Sequence, residues 1–170
     1  MSQPLPREFY NRSAVRVARE LLGKELRFEG LSARIVETEA YLGEDDQAAH
    51  SARGITPRTR VIFGPPGHAY VYFVYGMHHC LNIVCEPEGI AGCVLIRALE
   101  GFNGPAKLTK GLGLTLAHNG VDVTRGPITI HQPEIPEKFK IATSKRIGIT
   151  KSADLPLRFF IDGHRSVSRG

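Results

Sequence analysis

The chain has 170 residues, 42% of them apolar, with 22 Lys and Arg against 17 Asp and Glu for a formal charge of +5. That length supports one compact domain with its own core. No apolar run approaches the roughly 20 residues that cross a bilayer, and none opens the chain as a leader would, so a soluble, intracellular protein with no membrane partner is expected.

The basic excess is uneven. Residues 1–100 carry 11 basic and 12 acidic side chains, residues 101–137 carry 3 of each, and residues 138–170 carry 8 and 2. Such a bias favours a polyanionic partner without deciding for one. Cys80, Cys85 and Cys93 form no Cys-x-x-Cys pair, which argues against a disulfide framework and a structural zinc. His78, His79 and Cys80 would alternate between the two faces of a strand, so no metal is expected there.

In chain order, residues 1–8 read as a loose N-terminal tail of a single domain spanning 1–170. A helix follows over Ala14–Leu22, capped by Asn11 or Ser13 and stopped at Gly23. Leu26–Phe28 and Leu31–Tyr41 form a hairpin through Glu29-Gly30. Asp45–Arg53 predicts a short helix, and Thr56-Pro57 the start of another. After a turn over Phe63–Gly67 come strands at His68–Tyr75, Cys80–Cys85 and Gly92–Leu99. Gly104-Pro105 opens a helix to Leu112, weakened by Gly111 and Gly113. Thr124–Gln132 and Leu157–Ile161 are short strands, and Ser144–Ile149 between them is irregular. The sum is an α+β fold, a curved antiparallel sheet flanked by helices.

Three features stand out chemically. With a period of two, Ile35, Glu37, Glu39 and Tyr41 share one strand face. That face is either the wet side of an amphipathic strand or the floor of a pocket. In a pocket, a desolvated carboxylate can take a proton from water, or support the oxocarbenium ion formed when a sugar loses its substituent. Tyr70, Tyr72 and Tyr75 concentrate phenols in one segment, as core packing or as a platform for a planar base. Arg97 interrupts an apolar run and needs a carboxylate such as Glu39 if buried. Glu37 and Glu39 do not suit a carbohydrate glycosidase, because residues i and i+2 lie parallel, roughly 6.5–7 Å apart, instead of flanking a bond. The chain has no phosphate-binding Gly-x-x-x-x-Gly-Lys-Ser/Thr loop, no zinc-deaminase signature and no Gly-x-Ser-x-Gly elbow.

Taken together, Arg34-Ile-Val-Glu-Thr-Glu-Ala-Tyr-Leu-Gly43, Ala48-Ala-His-Ser51, Thr56-Pro-Arg58, Phe63-Gly-Pro-Pro-Gly-His-Ala-Tyr-Val-Tyr-Phe-Val-Tyr-Gly-Met77, Leu81-Asn82 and Val94-Leu-Ile-Arg-Ala-Leu99 closely resemble the alkyladenine (3-methyladenine) DNA glycosylase family. Gly104-Pro-Ala-Lys-Leu108, Arg146-Ile-Gly-Ile149 and Pro156-Leu-Arg-Phe159 continue the resemblance.

The resemblance implies a monofunctional glycosylase that flips an alkylated purine out of duplex DNA and leaves an abasic site. It needs no cofactor and no obligate protein partner, acts as a monomer, and works where the DNA is. By the same resemblance Glu39 activates the attacking water, Arg97 helps to hold that water, and the backbone carbonyl of Ile147 completes its site. Tyr41, Ala48, His50 and Tyr72 hold the flipped base, and Asn82 excludes normal guanine. Tyr75 and Met77 wedge into the duplex, and Arg58, Lys145 and Arg146 meet phosphates. The family's usual insert after Ala-Leu-Glu is absent here, so the chain reads as a short member. The alternative is a DNA-binding module of the same fold without activity.

Overall fold

The computed structural model describes residues 2–43, 45–74 and 76–168. Its α+β architecture is built on an antiparallel sheet whose centre is the longest strand. The elements run α1 (Arg7–Tyr10), α2 (Ala14–Leu21), β1 (Glu25–Phe28), β2 (Leu31–Tyr41), β3 (Ala69–Val74), β4 (His78–Val84), β5 (Cys93–Leu99), α3 (Pro105–Leu112), β6 (Thr129–His131), β7 (Ile141–Ser144) and β8 (Arg158–Ile161). Short 3-10 turns occupy His50–Arg53, Arg60–Phe63 and Leu116–His118. The sheet order is β3-β4-β5-β2-β1-β6, with β8 pairing the distal half of β2 and β7 pairing β8.

One face of this sheet forms the core. Val36, Ala40, Val71, Leu81, Ile83, Val94, Ile96, Ala98 and Phe159 cluster with Ala14, Val17, Ala18 and Leu21 of α2. The helix starts where the sequence predicts: the Ser13 side chain accepts the Arg16 amide at 3.2 Å. Its apolar stripe packs on β2, and the Thr38 hydroxyl donates to the Ala18 carbonyl at 2.8 Å, satisfying a polar group inside the core.

Antiparallel register assigns the opposite face. Tyr70 pairs with Asn82, Asn82 with Leu95, Leu95 with Glu39 and Glu39 with Arg158. Residues directly opposite one another share a face, so one row across five strands aligns these side chains. Two compensating register shifts in the β2/β5 pair pass over Val36 on one strand and Arg97 on the other. Bulges re-aim the side chain they carry, and here that side chain is Arg97.

Several expectations change. The N-terminal segment is not a loose tail: Pro4 bridges to His131, the Leu5 amide donates to the Ile130 carbonyl at 2.7 Å, and Leu5 is buried. The edge of β6 and the core together hold it. The helix expected over Asp45–Arg53 shrinks to the turn His50–Arg53. Asp46 instead accepts the amides of Leu42 at 2.9 Å and Ala48 at 3.1 Å, a local side-chain pattern that competes with helix. Thr56 and Thr59 trade hydroxyl and amide bonds in the same way, and no α-helix follows Pro57. The strand expected over Thr124–Gln132 is confined to β6, because Asp122 accepts the Thr124 amide and turns the chain. Strand β7, unpredicted, is set by its pairing with β8, with Ile141 packed against the core.

The glycines that weakened the prediction of α3 have positive reasons. A Cβ at Gly111 would collide with the Phe102 ring, and Gly113, at φ 78°, is the left-handed stop. The short connection from β5 to α3 is closed by a bridge between Leu99 and Phe102.

Candidate active site

Glu39 and Glu37 do not face water. Both are wholly buried on the face opposite the core, so the amphipathic-strand alternative fails. Glu39 Oε1 accepts the Tyr41 hydroxyl at 3.0 Å and lies 3.8 Å from Arg97 Nη1, while its Oε2 accepts the Ile147 amide at 2.7 Å. Burial pushes this carboxyl above its ordinary range, opposed by the Arg97 charge and the Ile147 and Tyr41 hydrogen bonds and reinforced by Glu37. A carboxylate with a raised pKa and unused lone pairs is equipped to act as a base.

Arg97 does not pair mainly with Glu39, its expected partner. Its Nε donates to Glu37 Oε2 at 3.2 Å, and Glu37 also accepts Arg158 Nε at 2.6 Å. Glu37 therefore holds two buried arginines, while Glu39 keeps only a longer contact to one.

Beside these groups opens a cavity of about 370 Å³ lined by Tyr41, Ala48, His50, Tyr70, Tyr72, Cys80, Asn82, Cys93, Leu95, Arg97 and Ile147, among others. Its size falls in the range of small-molecule sites, roughly 300–1,000 Å³. The structure thus brings together every residue that the resemblance places around the base. Tyr70 was missed as a member, although alternation with Tyr72 was the signal for it. Its hydroxyl lies 2.9 Å from His50 Nδ1, and its carbonyl accepts the Asn82 side-chain amide at 3.2 Å. His50 and Tyr72 rings meet edge to face with centroids 4.4 Å apart.

Burial, with the Arg58 charge, pushes the His50 pKa down to about 4. The imidazole is therefore neutral near pH 7, one nitrogen donating and the other accepting. Burial raises the Tyr41 and Tyr72 phenols and pushes the Cys93 thiol up to about 12, so these groups stay neutral as well.

The outer residues divide. Arg58 is exposed, its guanidinium 5.5 Å from the Tyr72 ring centre. It also lines a second cavity of about 420 Å³ with Arg53, Lys151 and Thr56, which shares Ala48 and His50 with the first. Lys145 is exposed, 3.4 Å from Asp154. Arg146 is not a surface cation: its side chain is wholly buried, with two bonds to Asp46 at 2.6 and 2.8 Å and another to the Ala40 carbonyl at 3.0 Å. A buried guanidinium needs a carboxylate more than it needs solvent, and the distant Asp46 supplies it. Met77 is exposed at the β3–β4 turn, and Tyr75 lies outside the described residues.

The chain matches known proteins along nearly its whole length. The sequence profile of the family described as Methylpurine-DNA glycosylase (MPG) matches residues 8–103 and 101–165. The two matches meet at the short turn between β5 and α3. A protein of Methanoculleus marisnigri named "Putative 3-methyladenine DNA glycosylase" is 47% identical over 190 aligned positions, covering 97% of this chain and 98% of that protein. Proteins of the same name from Bradyrhizobium diazoefficiens and Legionella pneumophila are 44% and 45% identical, covering 99% and 97% of this chain and 92% and 98% of theirs. The 190 positions exceed the 170 residues here, so that relative carries residues this chain lacks. With the family profile matched over almost the whole chain and relatives of 44–47% identity covering nearly all of it, the chain belongs to the methylpurine-DNA glycosylase family.

Proposed function

We propose that this protein extrudes 3-methyladenine-type purines from duplex DNA and hydrolyses the N-glycosidic bond with a water deprotonated by Glu39, leaving an abasic site in base excision repair. The observation that carries the reading is the buried Glu39, of raised pKa, beside a cavity walled by Tyr41, His50 and Tyr72. Water gives its proton to Glu39 and attacks the anomeric carbon as the bond to the base breaks. Arg97 and the Ile147 carbonyl orient that water. No lysine lines the cavity among the described residues, so no Schiff base forms and the enzyme is monofunctional.

The flipped base lies against Tyr41, Ala48, His50 and Tyr72, and Asn82 opposes the exocyclic amino group of guanine. Tyr75 and Met77 fill the vacated step, which offsets part of the few kcal/mol that extrusion costs. Arg58 and Lys145 meet phosphates, joined by Arg53 and Lys151 of the second cavity. The protein acts as a monomer inside the cell, with the DNA.

Cation–π attraction between the tyrosines and a cationic base supplies less selectivity than bare rings would. Arg146 stands 4.7 Å from the Tyr41 ring centre and Arg58 5.5 Å from that of Tyr72, so each ring already has a cation beside it. The leaving group decides more. His50 is neutral, and burial raises the cavity phenols and the Cys80 and Cys93 thiols too far for them to give up a proton readily, so none of these groups serves as an efficient acid at pH 7. A base that already carries its positive charge needs none.

Single-turnover assays on duplexes bearing different lesions test the reading. Release of 3-methyladenine or 7-methylguanine is expected to exceed that of hypoxanthine by about 10²-fold or more, the usual worth of a missing general acid. DNA binding is expected to weaken steeply with salt. Specific binding to damaged duplex with no base release would instead favour an inactive DNA-binding module.

A further inference from the structure

We propose that Ser168, in the stretch following β8, positions Arg97 and holds it back from a full ion pair with Glu39. The proposal rests on Glu39 being the base. Ser168 is buried and touches Glu37 twice, its amide donating to Oε1 at 2.7 Å and its hydroxyl to Oε2 at 2.9 Å. The same hydroxyl accepts Arg97 Nη2 at 3.2 Å, and the Ser168 carbonyl accepts Arg158 Nη2 at 3.2 Å. No base-pocket contact involves it: the cavity is lined without it.

The geometry gives this contact its consequence. A guanidinium is a rigid planar fork, so once Nε is held by Glu37 and Nη2 by Ser168, the direction of Nη1 is fixed. That atom stops 3.8 Å from Glu39 Oε1, beyond hydrogen-bond distance. A tight pair there would lower the affinity of Glu39 for a proton and make it a poorer base. Glu37 and Ser168 together divert the arginine, leaving it close enough to orient water and too far to quench the carboxylate. The titratable groups facing this pair are Glu37 and Tyr41 on β2, the Cys80 thiol on β4 and, through Glu37, Arg158 on β8.

Ser168→Ala removes the hold on Nη2 together with the hydroxyl that Glu37 Oε2 accepts, so the fork is held through Nε alone and Nη1 is released to close the 3.8 Å to Glu39 Oε1. In single-turnover release of 3-methyladenine, the plateau rate is expected to fall about tenfold or more, while the acid limb of the pH–rate profile moves to lower pH. The dissociation constant for lesion DNA stays within about twofold, because no residue touching the base has changed. Ser168→Thr keeps the hydroxyl and restores both rate and limb. A wild-type rate in Ser168→Ala overturns the proposal. So does a slowed variant whose acid limb is unmoved or displaced upward, or one that threonine does not rescue, since those are marks of a merely structural residue. A wild-type protein that releases no base would overturn the functional reading itself, whereas an active wild type matched by Ser168→Ala would overturn only the positioning.

Discussion

Glu39→Gln is expected to lower the single-turnover rate of 3-methyladenine release by about 10²- to 10⁴-fold, the contribution of a positioned general base. The side chain is wholly buried, so the amide must satisfy the same partners. The Ile147 amide can only donate and requires the carbonyl end of the new side chain. The NH₂ end is then turned toward Tyr41, whose hydroxyl can rotate to accept, and toward Arg97, which cannot. The variant is expected to fold and bind lesion DNA without cleaving it. Release at the wild-type rate would remove Glu39 from the chemistry.

The wild-type pH profile carries the same assignment. Burial, the leading influence on Glu39, raises its pKa despite Arg97, the Ile147 amide and Tyr41. The base must be ionised to act, so activity falls as pH drops through a value above the ordinary glutamate range near 4.3. An acid limb at or below that range would mean that the rate-controlling group is a solvated carboxylate elsewhere.

Asp46→Asn is expected to give the largest loss of stability. Both side chains of the Asp46–Arg146 pair are fully buried, and the arginine adds bonds to the Ala40 and Ser152 carbonyls. Removing one charge leaves the other buried without its counterpart, which costs about 3–5 kcal/mol. For a chain of this size that lowers the midpoint of thermal unfolding by roughly 10 °C, readable by calorimetry. Activity falls as well, because Asp46 also accepts the amides of Leu42 and Ala48 and so shapes the loop that carries Ala48 and His50 into the cavity. A midpoint within about 2 °C of the wild type would show that the pair contributes little.

The sign of its pH dependence follows. Burial alone would raise the Asp46 carboxyl, but the Arg146 hydrogen bonds and charge and the two backbone amides outweigh it, and the folded-state pKa lies below the ordinary one. The stability it supplies is therefore full above the unfolded value near 3.9 and is lost as pH falls from there through the lower folded value. Acid unfolding of the wild type is expected to begin in that window, and that of Asp46→Asn to lose this component.

Much of the frame is legible from local chemistry alone. The Ser13 cap and apolar stripe define α2, Glu29-Gly30 sets the β1–β2 hairpin, and alternation marks β2, β3, β4 and β5, because these signals act between residues close in the chain. The same alternation puts Glu37, Glu39 and Tyr41 together, and Tyr70 with Tyr72. It cannot say whether that face is wet or buried. Cross-strand register answers this by aligning Glu39 with Leu95, Asn82 and Tyr70 beside a cavity.

Long-range pairing decided the rest. The sequence locates its basic excess after residue 137, and that excess reads as a surface for phosphate. In the folded chain Arg146 and Arg158 turn inward, to Asp46 and Glu37 of the first hundred residues. The bulge that re-aims Arg97, the strand β7, the anchoring of Leu5 and the hold of Ser168 on Glu37 likewise depend on partners far away in sequence. The sequence by itself determined which residue types could do the chemistry. The tertiary structure decided which charges were neutralised and which stayed free, because a buried ion takes the nearest counter-charge in space, whatever its distance along the chain.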